Sequence, residues 1–97
     1  MTRKEILAFL KSHKNEIYQK FKAKNIGLFG SFVKNENSNE SDIDIYVEFE
    51  EKSFDNLTGL YEYLENNFHQ KVDIYYPHKF SDERVLEKIK KEVIFYG

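Results

Sequence analysis

Two carboxylates separated by one residue stand at the start of an alternating stretch of the sequence. In Asp42–Val47, polar and apolar residues alternate, a pattern typical of a β-strand with one buried face. Asp42 and Asp44 would then point to the same face of the strand, about 6.6 Å apart at about 3.3 Å per residue. Carboxylate oxygens suit a hard cation such as Mg²⁺, which usually keeps contact with substrate phosphates. The spacing therefore predicts a site for a metal-bound phosphate.

A Gly-Ser pair upstream of the acids offers groups that bind an anion. Gly30 and Ser31 follow the apolar run Ile26–Phe29, which predicts a strand ending at a turn. Such a turn can present backbone N–H groups and a hydroxyl to a phosphate. Ten residues separate Ser31 from Asp42, enough for the chain to reverse direction. We therefore expect two antiparallel strands, with the Gly-Ser turn and the acid pair at the same edge of the sheet.

A third carboxylate, Asp73, is placed near the first two by topology rather than by a local motif. Ser53 is a plausible N-cap for a helix after the second strand, and Lys71–Tyr76 alternates as a third strand. The connection of about twenty residues is long enough for a parallel crossover. Parallel pairing would set the starts of the two strands side by side. We therefore expect Asp73 to lie near Asp42 and Asp44.

The remaining segments predict helices. Thr2 and Glu5 form a capping box for a first helix from about residue 3 to 22. A short helix is expected from Ser31 to about Glu36, and Ser81 should cap a last helix. The predicted apolar face of that last helix consists of Val85, Leu86, Ile89, Val93 and Ile94. The predicted fold class is α+β (an α/β mixed sheet), with three or more strands, helices mainly on one face, and the order α-β-α-β-α-β-α.

Length and composition narrow the class of protein. With 97 residues, 40% of them hydrophobic, the chain predicts a single folded domain over residues 1–97. A net charge of −2 implies no strong attraction to nucleic acid, and the absence of cysteine excludes disulfides and thiolate chemistry. No apolar run approaches the roughly 18–20 residues of a membrane span. These features predict a cytoplasmic protein with no direct nucleic-acid or membrane partner.

The motifs together resemble a known family. Gly30-Ser31, the stretch Ser41–Val47 and the triplet around Asp73 look like the minimal nucleotidyltransferases (MNT) of the DNA polymerase beta superfamily, and more closely like the MNT antitoxins paired with HEPN-domain toxins. The resemblance covers nearly the whole chain. One departure lies after the Gly-Ser pair, where the family often has a small residue, an arginine and a glycine. This chain has Val33-Lys34-Asn35 there, and Lys34 keeps the positive charge.

The resemblance implies a role for each motif residue. The nucleotide triphosphate would be bound by the Gly-Ser pair, with Lys34 contributing its charge. The metal and catalytic roles fall to three acids, of which two bind Mg²⁺ and the third completes the site. These acids are Asp42, Asp44 and Asp73. Nucleotidyl transfer needs positioning and charge neutralisation more than covalent catalysis, which agrees with such a set of residues. Asp73 would also accept or orient the proton of the acceptor.

The resemblance also implies a reaction and a partner. The expected activity is Mg²⁺-dependent transfer of AMP from ATP to a tyrosine hydroxyl of a HEPN ribonuclease toxin, which is neutralised. We expect a hetero-oligomer with the toxin, because this chain has no second domain to grip an acceptor. Two alternatives remain open at this point. The chain could be a non-catalytic antitoxin that acts by occlusion, or a nucleotidyltransferase acting on a small molecule.

Overall fold

A four-stranded mixed sheet, in the order β3-β2-β1-β4, forms the framework of the described part of the chain. The computed structural model describes residues 2–30, 42–51, 53–77 and 83–95, without the side chains of residues 85 and 86. Its elements are α1 (Arg3–Ser12), α2 (Lys14–Phe21), β1 (Ala23–Phe29), β2 (Ile43–Phe49), α3 (Phe54–Phe68), β3 (Val72–Tyr75), α4 (Glu83–Glu92) and β4 (Ile94–Phe95). The predicted α+β class with a mixed sheet is confirmed.

The pairing of the three longer strands matches the predicted topology. β1 and β2 run antiparallel, with Phe29 opposite Asp44. β2 and β3 run parallel, and Asp44 lies opposite Asp73 in that register. The sequence expectation that the crossover through α3 would bring the third carboxylate to the acid pair is therefore met for Asp44.

Alternation along the strands divides the side chains between two differently packed faces. Ile43, Ile45 and Val47 of β2 are buried in the main core, against α1, α2 and α3. Further members of that core are Ile6, Leu10, Ile17, Ala23, Ile26, Leu28, Leu60, Leu64, Phe68, Val72 and Ile74. Each fully buried large aliphatic side chain contributes roughly 1.5–3 kcal/mol, so this face carries most of the stability. The opposite face holds the acids.

A smaller cluster covers part of that opposite face. Tyr46 is completely buried between Phe29 and Ile89 of α4, with Tyr75 and Val93 packed against them. The predicted alternation placed Tyr46 on the same side as the acids, and this is where it lies. Its burial depends on the packing of α4, which cannot be predicted from the sequence pattern of β2.

The first predicted helix, from residue 3 to 22, is divided at His13. This residue has non-helical φ and ψ of −109° and 11° and is the C-cap of α1 and the N-cap of α2. Its ring stacks on Phe9 with centroids 4.0 Å apart, and Nδ1 hydrogen-bonds the Phe9 carbonyl oxygen at 3.0 Å. The Phe9 carbonyl oxygen also accepts the His13 backbone N–H at 3.0 Å, so the ring and the backbone of His13 together close the end of α1.

The end of the chain also differs from the prediction. α4 ends at Glu92, and Val93 directly after it still packs in the cluster that contains Ile89. Ile94, which was predicted on the apolar face of the helix, instead belongs to β4, because β4 pairs antiparallel with Gly27 and Leu28 of β1. β-branched residues favour a strand where the free edge of β1 can accept one. Gly27 permits the approach, since a Cβ there would lie 2.7 Å from a Val93 methyl carbon. The predicted short helix at 31–36 and the Ser81 cap lie outside the described residues.

Within the described ranges, no helix is both long and apolar enough to cross a membrane.

Candidate active site

Two of the predicted site residues, Asp44 and Asp73, lie side by side on the central and edge strands. They are opposite each other in the parallel β2–β3 register, and both are partly exposed. Neighbouring strands are about 4.8 Å apart, so residues paired in this way share one face of the sheet and can act on one ligand. Asp42 immediately precedes β2 and is also partly exposed.

The electrostatics of Asp44 reflect the crowding of negative charge. Burial, followed by the charges of Asp73 and Asp42, raises the pKa of the Asp44 carboxyl from its ordinary 3.8 to about 6. Like charges that face one another disfavour ionisation, and partial burial weakens the hydration that would offset the repulsion. A cation at this position would relieve the repulsion. Strongly perturbed carboxyls of this kind are frequent at functional sites.

Gly30 lies directly against Asp44. It follows β1 with a φ of 79°, in the left-handed region that favours glycine. A Cβ at this position would overlap Asp44 Oδ2 and come within 3.0 Å of its Cγ. Glycine is therefore required here for both its backbone conformation and its lack of a side chain. The other two predicted nucleotide-binding residues, Ser31 and Lys34, lie outside the described residues.

Tyr75 is a residue of the site that the sequence analysis missed. Its hydroxyl donates a hydrogen bond to Asp73 Oδ2 at 2.8 Å. Burial, together with this bond and the charges of Asp73 and Asp44, raises the pKa of the Tyr75 phenol, so the hydroxyl keeps the proton that it donates. The signal was present in the alternation of β3, because Tyr75 stands two residues after Asp73 and therefore on the same face.

An aromatic pair closes one side of the acid site. The rings of Phe29 and Tyr75 meet edge to face, with centroids 4.9 Å apart and planes inclined at 73°. These residues belong to β1 and β3, so their side chains meet across the central strand β2. The pair packs with the buried ring of Tyr46 and forms an apolar wall beside the carboxylates.

A cavity of about 350 Å³ occupies the same face of the sheet on the other side of Tyr46. Its lining residues are Asn25, Tyr46, Glu48, Lys90 and Phe95. The Glu48 carboxylate accepts hydrogen bonds from Asn25 Nδ2 at 2.6 Å and from the Tyr46 hydroxyl at 3.1 Å. The acids lie outside this lining, and we assign the cavity no part in the acid site.

The fit of the site to Mg²⁺ depends on which donor atoms it brings together. Among residues 2–30, 42–51, 53–77 and 83–95, no group of three or more His, Cys, Asp or Glu side chains is assembled closely enough to hold a metal ion. The chemistry of the donors nevertheless fits, because Asp44 and Asp73 supply oxygens, which Mg²⁺ prefers. Burial and the charges of Asp73 and Asp42 raise the pKa of Asp44, so a bound cation would favour its ionised form. These residues fit a hard cation that is bound partly by the phosphates of a substrate.

Comparison with known proteins identifies the family. The family model for polymerase beta nucleotidyltransferases matches residues 7–96. A proposed protein adenylyltransferase of Methanocaldococcus jannaschii is 39% identical over 97 residues, which cover 97% of each chain. The protein adenylyltransferase MntA of Thermococcus cleftensis is 41% identical over 75 residues, 76% of each chain. The chain belongs to the polymerase beta nucleotidyltransferase family, and the resemblance inferred from the motifs is confirmed.

Solved structures agree with this fold. A structure described as a proposed minimal nucleotidyltransferase superposes with a TM-score of 0.73 at 26% identity, covering 91% of this chain and 93% of that one. A chain from the complex of the tri-AMPylated HEPN toxin of Shewanella oneidensis with an MNT antitoxin superposes with a TM-score of 0.62. The latter match is 16% identical and covers 94% of this chain and 71% of that one, so it shows a shared fold.

Proposed function

We propose that this chain is an antitoxin that transfers AMP from ATP, with Mg²⁺, to a tyrosine hydroxyl of a partner HEPN ribonuclease and so neutralises it. The observation that carries the proposal is the opposition of Asp44 and Asp73 on adjacent strands, with Gly30 packed against Asp44. The carboxylate pair can bind a cation, and the glycine turn beside it can bind the phosphates that the cation accompanies.

The nucleotide would be held by the turn after β1. In this proposal, the backbone and hydroxyl of the Gly30-Ser31 pair bind the triphosphate, and the Lys34 ammonium adds a positive charge. Asp42, Asp44 and Asp73 would hold Mg²⁺. When bound, Mg²⁺ supplies neutralisation of phosphate charge and orientation of the reacting oxygens.

Proton transfer is assigned to Asp73. A tyrosine hydroxyl has an ordinary pKa of about 10, so removal of its proton during attack lowers the barrier. The acceptor oxygen would attack the α-phosphorus of ATP while its proton passes to the Asp73 carboxylate. The bond from the α-phosphorus to the bridging oxygen of the β-phosphate then breaks, and pyrophosphate leaves. The products are AMP esterified to the partner's tyrosine and free pyrophosphate.

Two observations support a protein as the acceptor, namely the exposure of the acids and the sequence similarity to protein adenylyltransferases. The acids stay partly exposed, and in the described part of the chain Tyr46 and α4 cover the neighbouring part of the same face. A side chain presented by another protein can therefore approach them from outside. Relatives at 39% and 41% identity carry the description of protein adenylyltransferase, proposed in the first case. We extend this proposal to a single domain over residues 1–97 that works in the cytoplasm as a hetero-oligomer with its toxin.

The test is the intact mass of a HEPN-domain protein encoded beside this chain. It is incubated with the chain, Mg²⁺ and each nucleoside triphosphate in turn. We expect a gain of one or more adenylyl groups with ATP, lost with Asp44→Asn and retained with Glu62→Gln, which changes an exposed acid on α3. If the mass does not change while the two proteins still bind each other, the proposed transfer is refuted in favour of neutralisation by occlusion.

A further inference from the structure

The contact between Tyr75 and Asp73 restricts the orientation of the carboxylate. The Tyr75 hydroxyl donates to Asp73 Oδ2 at 2.8 Å, a normal length for an O–H···O hydrogen bond. Rotation of the carboxylate about its Cβ–Cγ bond would break this bond. Breaking it would leave the partly buried phenol without this acceptor, which costs free energy, so the bond opposes that rotation.

The donor is itself held in place. The Tyr75 ring packs edge to face against Phe29, at a centroid distance of 4.9 Å, and belongs to the partly buried margin of the cluster around Tyr46 and Ile89. Aromatic pairs of this geometry stabilise the fold beyond the effect of the area they bury. Phe29 is in turn the register partner of Asp44. The wall of the site and the orientation of its third acid therefore depend on the same pair of rings.

We propose that Tyr75 is a positioning residue for Asp73, holding its carboxylate in the orientation that receives the acceptor's proton. This inference rests on the proposed function, in which Asp73 has that role. Functional groups work when neighbouring packing and hydrogen bonds hold them within about 0.5 Å of the productive geometry. A side chain that loses this support keeps its chemistry but spends less time in the productive position.

A merely structural role for the hydroxyl is the competing explanation, and the chain provides a matched control. Tyr63 is also partly buried, and its hydroxyl donates to Glu16 Oε2 at 2.6 Å. It packs against the main core, on the face of the sheet opposite to the acids. Tyr63→Phe therefore removes the same kind of phenol–carboxylate bond at a distance from the site.

The first experiment compares Tyr75→Phe with Tyr63→Phe in AMP transfer to the partner. Both substitutions keep the ring, so the contact of residue 75 with Phe29 should persist. We expect Tyr75→Phe to lower kcat by about tenfold to a hundredfold, as small misplacements of a reacting group do, with KM for ATP within about twofold of wild type. Tyr63→Phe should leave both constants near their wild-type values. Equal kcat values for the two variants would overturn the inference.

A second readout does not require activity. The ¹³C resonance of the Asp73 side-chain carboxyl is measured in the nucleotide-free protein without added metal. We expect it to move in Tyr75→Phe and to stay in place in Tyr63→Phe; an unmoved resonance in Tyr75→Phe contradicts the inference. If wild type transfers AMP and Tyr75→Phe is equally fast, the inference fails and the proposed function stands. If wild type transfers nothing, the proposed function fails, and the resonance alone decides whether Tyr75 orients Asp73.

Discussion

Replacing Asp44 by asparagine should stabilise the fold at neutral pH while abolishing transfer. In the folded protein the pKa of Asp44 is raised from 3.8 to about 6, first by burial and then by the charges of Asp73 and Asp42. Between these two values the folded protein holds a proton that the unfolded chain has lost. The contribution of Asp44 to the free energy of unfolding is therefore largest below about pH 4 and falls as the pH rises to about 6.

The magnitude follows from the size of the shift. A shift of one pKa unit corresponds to 1.36 kcal/mol, so about two units set an upper limit of about 3 kcal/mol at pH 7. Because Asp44 is only about half buried, solvent screening reduces this estimate to about 1–2 kcal/mol. The amide of an asparagine at this position would carry no charge to desolvate or repel. We expect Asp44→Asn to gain this amount at pH 7 and almost nothing at pH 4.

The assay is urea unfolding at both pH values without added metal, with Glu62→Gln as the control for an exposed acid. The free energy of unfolding of the control should stay within about 0.5 kcal/mol of wild type. A loss of stability at pH 7 in Asp44→Asn, or an equal gain at pH 4 and pH 7, would refute the account of the acid cluster as a site of uncompensated charge.

Three further predictions follow from the same site and from the edge of the sheet. Gly30→Ala should destabilise the fold by roughly 1–2 kcal/mol, because residue 30 has a φ of 79°. The substitution should also lower the rate of AMP transfer at least tenfold, because the new methyl group displaces Asp44; a wild-type rate would contradict this. Mg²⁺ should raise the melting temperature of wild type, because a ligand of the folded state stabilises that state, and should raise it much less in Asp44→Asn. Equal shifts of the two proteins in differential scanning fluorimetry would argue against metal binding by Asp44. Tyr61→Phe removes the hydroxyl that accepts a hydrogen bond from the Ile74 N–H of edge strand β3 at 3.1 Å. The free energy of unfolding in urea should fall by about 0.5–1.5 kcal/mol; an unchanged value would show that solvent replaces the bond without loss.

The opposition of Asp44 and Asp73 was predictable because it depends on topology. A connection of ten residues favoured an antiparallel pair, and a long helical crossover favoured a parallel one. The parallel pairing sets the starts of β2 and β3 side by side, and the alternation along each strand sets the face on which each carboxylate lies. The structure has both predicted pairings. The site residues Ser31 and Lys34 and the contribution of Asp42 to a metal site stay predictions.

Other features depend on contacts between distant segments, which local patterns do not contain. The break between α1 and α2 falls at His13, whose side chain bonds and stacks on Phe9. Val93 and Ile94 have spacing compatible with a helix, yet Ile94 pairs with the free edge of β1 and forms part of β4. The proposed role of Tyr75 could not be predicted from the sequence, because it depends on the Phe29 ring that reaches Tyr75 across β2. The alternation of β3 indicated its face and no more.

Whether the proposed neutralisation of a HEPN toxin is covalent is the central question, and it has a direct measurement. The HEPN partner is incubated with this chain, Mg²⁺ and ATP, separated from it under dissociating conditions, refolded and assayed for RNA cleavage beside a sample incubated with Asp44→Asn. Our account predicts that the partner stays inactive after wild-type treatment and recovers fully after treatment with the variant. Full recovery in both samples would contradict it, because a toxin silenced only by occlusion regains activity once the antitoxin is removed.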